Sequence, residues 1–136
     1  MLYRTTKHII QQKSLNISYL LYNAMKTKEK ILIENLKEYI ELAEYAYKHK
    51  KYNTAATLFF KAICAAIDLF IFQKQKIVPS SHTSRFKIVK EHYPEIYSLL
   101  DKDFPFYQNS YTQKLNKEAV EILREDANRI KQKTEN

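Results

Sequence analysis

Thr54-Ala-Ala-Thr-Leu-Phe-Phe-Lys61-Ala-Ile-Cys64-Ala-Ala-Ile-Asp68-Leu-Phe-Ile-Phe72 is apolar on almost every side of a helix. A helix without a polar face belongs in the middle of a bundle. Asn53 is placed to cap it, and the helix is expected to run to about Gln73. The run is long enough to span a bilayer, but Lys61 and Asp68 interrupt it. Each charge is costly at bilayer depth, so the segment reads as a core helix of a cytoplasmic protein with no membrane contact. Lys61 and Asp68 stand seven residues apart and, with Thr57 and Cys64, mark one narrow polar strip. Charges are rarely buried unpaired, so that strip is expected to find partners inside the bundle or at an interface. Cys64 is expected to be a small core filler.

Outward from this rod, both flanks keep helical periodicity. Residues 26–49 form a first helix, with Ile33, Leu36, Ile40, Ala43 and Tyr47 as one stripe at steps of three and four. Residues 74–84 read as a loop, broken by Val78-Pro79 and rich in Ser and Thr caps. A third helix is expected over 84–92, with Phe86, Val89 and Tyr93 as its stripe. Pro94 starts a short fourth helix through Leu100. Residues 101–113, containing Pro105, read as irregular. Asn116 caps a last helix with Val120, Leu123, Ala127 and Ile130 on its inner face. The fold class is therefore all-α, an up-and-down helical bundle of four main helices plus short helices. Residues 1–25 read as a basic, floppy or accessory arm, 26–132 as the bundle, and 133–136 as a frayed tail. Most of the eleven tyrosines fall on apolar stripes and are expected in the core.

Composition removes whole classes of function. There is no glycine, so neither a P-loop nor a dinucleotide fingerprint can exist. One cysteine makes no intrachain disulfide and no thiolate cluster. The four histidines, at 8, 49, 82 and 92, show no i, i+4 metal spacing, so no metal and no cofactor is expected. The net charge of +8 invites a nucleic-acid partner. Five of those charges (Arg4, Lys7, Lys13, Lys26 and Lys28) precede Glu29, the first acidic residue. The remainder is only mildly basic.

The segment Ala43–Ile63 resembles one tetratricopeptide unit, with Tyr52, Ala55, Phe59 and Ala62 at fixed steps, but no second copy follows. It also resembles the first two helices of the HEPN family, where a charged helix and a Tyr-Asn turn lead into a long alanine-rich helix. Later pieces resemble that family as well: Pro79-Ser-Ser-His82 before Arg85-Phe86, then Asp103-Phe-Pro, Tyr107-Gln-Asn-Ser-Tyr111 and a closing amphipathic helix. The resemblance covers roughly residues 26–132. It implies a helical bundle that forms a homodimer and pairs with a minimal nucleotidyltransferase in a toxin–antitoxin system. Many relatives are metal-independent ribonucleases with an Arg-x(4–6)-His motif near the last main helix.

Arg85 and His92 meet that spacing, here on the third helix. At i and i+7 both could face one phosphodiester, arginine holding the phosphate and histidine acting as base or acid. RNA is then the substrate. The binding-module reading instead assigns contact surfaces to His82, Phe104, Phe106, Tyr107, Asn109 and Tyr111, because tyrosine-rich patches are typical of interfaces. A plain helical scaffold without a ligand is the third reading.

Overall fold

The computed structural model describes residues 2–135; Met1, Asn136 and the side chains of residues 2–4 lie outside the described residues, and with them the ends of the expected arm and tail. The chain is all-α: α1 (Leu2–Lys48), α2 (Tyr52–Gln75), α3 (His82–His92), α4 (Pro94–Asn109) and α5 (Lys117–Thr134). No strand occurs among the described residues. The apolar rod is the centre of the fold. α2 contributes twelve buried residues and touches α1, α4 and α5. Among the described residues it is the one helix long and apolar enough to cross a membrane, by length and composition, and most of that run is buried inside the bundle.

Several element boundaries differ from the sequence expectation, and three of them have a clear physical reason. α1 does not begin near residue 26. Residues 2–25, expected as a floppy or accessory arm, continue the same helix. No glycine exists and no proline precedes Pro79, so nothing in this stretch breaks a helix. The short fourth helix does not stop at Leu100. α4 runs through Pro105 to Asn109, because Phe104, Phe106 and Tyr107 pack against the core and hold the turn that proline weakens. At the other end α5 reaches Thr134, whose carbonyl accepts a 2.9 Å hydrogen bond from Gln73 Nε2, so part of the expected tail is docked.

Asn53 is not the cap of α2. It sits inside the first turn and ties α2 to the turn between α4 and α5. Its Nδ2 donates to the carbonyls of Ser110 (2.9 Å) and Gln113 (2.7 Å), and its Oδ1 accepts from Leu115 N (2.8 Å). The caps at Ser81 and Asn116 do form; each side chain accepts from a backbone N–H three residues on. Without glycine, left-handed positions fall to lysine. Lys50 and Lys76 both have φ of 60° just past helix ends. At the first, Lys51 N bonds to Ala46 O and Lys50 N to Tyr47 O, the bond pair that closes a helix through a left-handed residue.

The tyrosines ring the core instead of filling it. Tyr39, Tyr47, Tyr52, Tyr93, Tyr97 and Tyr107 are half-buried against it, while Tyr19, Tyr22, Tyr45 and Tyr111 are exposed. A phenol keeps its hydroxyl near water or a partner. Thus Tyr47 donates to Glu121 Oε1 at 2.6 Å, and the Arg124 guanidinium lies 5.0 Å from its ring while pairing with Glu44 at 2.6 Å.

Candidate functional site

The polar strip of α2 opens into a cavity of about 250 Å³ lined by α1 (Leu32, Asn35, Tyr39), α2 (Phe60, Lys61, Cys64, Ala65, Asp68), α3 (His82, Arg85) and Tyr107 of α4. Asp68 projects from the buried rod and meets Arg85 from the second turn of α3. The pair is bidentate: Nε to Oδ1 at 2.8 Å and an Nη to Oδ2 at 2.9 Å. Both side chains are almost wholly buried. Burial alone would lower the Arg85 pKa, but its hydrogen bonds to Asp68 raise it above the ordinary value. This satisfies the expectation that Asp68 finds a partner inside the bundle.

Arg85 has a second contact. Its other Nη lies 3.0 Å from His82 Nδ1. An arginine only donates, so Nδ1 accepts and the remaining ring proton sits on Nε2. Burial, then the positive charge of Arg85, holds His82 below its usual pKa. It is therefore a neutral imidazole that offers an N–H and has no free lone pair. That suits a hydrogen-bond donor to a ligand. It does not suit a general base, which needs an unoccupied ring nitrogen.

Aromatic rings form one wall. Tyr107 stacks on Phe60 with centroids 4.7 Å apart, and His82 lies 6.3 Å from both rings. Phe104 joins Phe60 at 5.8 Å and Phe86 at 5.4 Å. Tyr107 and Tyr111 share a 2.7 Å hydroxyl contact, and Tyr111 is 73% exposed. Lys61 stands at the rim, exposed, 6.0 Å from the Tyr39 ring. Cys64 is buried as expected, and burial pushes its thiol up to about 11, so it is not a nucleophile at neutral pH.

Of the residues singled out from sequence, His82, Arg85, Phe104, Tyr107 and Tyr111 are brought together here. Phe106 is half-buried on α4 without a ring partner among those described, and Asn109 ends that helix, its carbonyl accepting from Gln113 N at 2.8 Å. Arg85 and His92 are not brought together. His92 closes α3, exposed, 3.8 Å from Glu91 and against Tyr93, beside a different cavity that Phe70 and Lys133 also line. Asn35 and Tyr39 belong to the site and were missed, since nothing separates them from other outward residues of α1. Among the described residues no group of three or more His, Cys, Asp or Glu is placed to hold a metal. Comparison with protein-family models finds no match, and comparison with curated proteins finds none either.

Proposed function

We propose that this chain is a HEPN-like helical binding module that works in the cytoplasm as a dimer and pairs with a minimal nucleotidyltransferase of the toxin–antitoxin kind. The observation that carries the reading is the Asp68–Arg85–His82 chain of contacts. The only arginine of the Arg-x-His pattern spends its fork on Asp68, and the histidine beside it is fixed as a donor. Such a group is suited to hold a ligand by hydrogen bonds and not to abstract a proton. The ribonuclease reading through Arg85 and His92 has no shared phosphate position to support it, because the two side chains serve different cavities. Around the mouth, Tyr107 and Tyr111 with Phe104 give the kind of rigid aromatic surface that anchors protein contacts.

The test mixes the purified chain with a minimal nucleotidyltransferase and measures the complex by calorimetry. A stable complex, weakened at least about tenfold by Tyr111→Ala, supports the reading. No heat of binding at tens of micromolar removes the partner, and with it this function.

A further inference from the structure

α1 carries a stripe that the bundle leaves bare. Ile10, Ile17, Ala24, Ile31, Glu38 and Tyr45 recur every seven residues. That period keeps them along one face of a helix that supercoils around another. Leu20, Leu21 and Leu42 flank the line. All nine are exposed, including those on the half of α1 that packs into the bundle through Leu36 and Ala43. A seam of this length, apolar except at Glu38, asks for a partner helix, not for water.

Charge decides which helix. Residues 1–28 hold Arg4, Lys7, Lys13, Lys26 and Lys28 and no acid. The other half, residues 29–48, holds five glutamates against three lysines, so it is net acidic; Glu34, Glu38 and Glu41 are exposed beside Lys30, Lys37 and Lys48, with Lys30 3.9 Å from Glu34. Two α1 helices side by side in parallel would set base against base and acid against acid. Antiparallel, each basic arm lies along the acidic half of the other. We infer that two copies of this chain pair through α1, antiparallel, across a two-fold axis near Lys26. With a rise of about 1.5 Å per residue, Ile10 then lies level with the partner's Leu42, Leu21 with the partner's Ile31, and Lys13 within about one residue of the partner's Glu38. The seam runs about 50 Å, and the two bundles sit on its opposite sides, clear of each other.

A bilayer fits the same arm less well. Surface-lying helices gather their lysines on one face, whereas Lys7, Lys13 and Lys26 point about a third of a turn apart. The stripe also continues, broken by Glu38, into the net acidic half, which an anionic surface repels. The inference rests on the binding-module reading only in taking the chain to be dimeric; it needs no nucleotidyltransferase.

Light scattering of the full chain at micromolar concentration tests it. The wild-type chain is expected to be a dimer and Leu21→Glu a monomer. Lys13→Glu and Glu38→Lys should each weaken dimerisation about tenfold, because a two-fold axis makes every contact twice. The double swap should recover the wild-type affinity to within about twofold. Circular dichroism checks that each variant keeps its helix content. A monomeric wild type overturns the inference, as does a dimer indifferent to both swaps. A monomer that binds phosphatidylserine vesicles but not phosphatidylcholine vesicles overturns it in favour of a lipid surface. The same samples, titrated with the nucleotidyltransferase, keep the two readings apart. A dimer with no hetero-complex leaves the α1 seam standing and removes the partner; a hetero-complex built on monomers does the reverse.

Discussion

Asp68 and Asp103 are both largely removed from water in this bundle, and the protein answers them differently. Asp68 receives a bidentate arginine from the neighbouring helix. Asp103 on α4 is fully buried, and neither of its oxygens receives a hydrogen bond among the described residues. Its close neighbour is another acid, Asp126 of α5, which takes the nearer cation: Lys102 lies 2.8 Å from Asp126 but 3.8 Å from Asp103. Burial first, and then Asp126, pushes the Asp103 pKa up to about 8. Asp68 is thus met by an arginine and Asp103 by a proton. The first arrangement is rigid and directional and lies against a cavity that can hold something. The second is a packing solution with a pH dependence attached. Seen alone, either buried acid suggests a functional group; compared, only the first is aimed at open space.

The comparison breaks most visibly at Arg85. Arg85→Ala leaves Asp68 buried without its cation and should cost about 3–5 kcal/mol in urea unfolding. Removing both charges together, Asp68→Leu with Arg85→Leu, should cost far less, since apolar pairs often replace buried ion pairs at little loss. A small effect of Arg85→Ala would mean that the pair is not the tie described. A neutral amide gives the intermediate case. Asn53 makes three hydrogen bonds across the fold, and Asn53→Ala should cost about 2–3 kcal/mol by the same measurement.

At Asp103 the sign reverses. The folded state holds this proton more tightly than the unfolded chain, whose carboxyl releases it near pH 4. Stability should therefore fall as pH rises from about 4 to about 8 and level off above. Asp103→Asn, which keeps a donor and removes the charge, should stabilise by about 1–3 kcal/mol at pH 9 and make little difference at pH 4. Thermal unfolding across that range checks it, and a flat wild-type profile would contradict a protonated Asp103. The smallest effect belongs to the left-handed lysines. Lys50→Gly and Lys76→Gly should each raise stability by about 0.5–1 kcal/mol, because glycine takes φ of 60° without the Cβ clash.

Where the sequence was legible, one residue type on one face decided the matter. The α2 rod, its polar strip and the α5 stripe all read directly, because apolar periodicity is set locally and packing then agrees with it. α4 was illegible past Leu100 for two reasons. Pro105 reads as a break, and Asp103 occupies a core position in the stripe Ile96, Leu99, Leu100, Asp103. A carboxyl there looks like loop unless its neutral form is foreseen, and that form depends on burial the sequence does not display. The helix of the arm was hidden in the opposite sense. Its mix of Ser, Asn and Tyr looks unstructured, yet it holds no breaker, and helix continues by default from a well-anchored half. At the site, His82, Arg85 and Asp68 were each visible. Their joining was not, because it needs the 17-residue separation from Asp68 to Arg85 to close through the loop ahead of α3.

The Asp68–Arg85–His82 group is proposed to bind a partner and not to cut RNA. Incubating labelled RNA with the purified chain in excess chelator tests this most directly, with His92→Ala alongside. Intact RNA with both proteins is the predicted result. Cleavage that disappears in His92→Ala would contradict the binding role and make α3 the active element of a metal-independent nuclease.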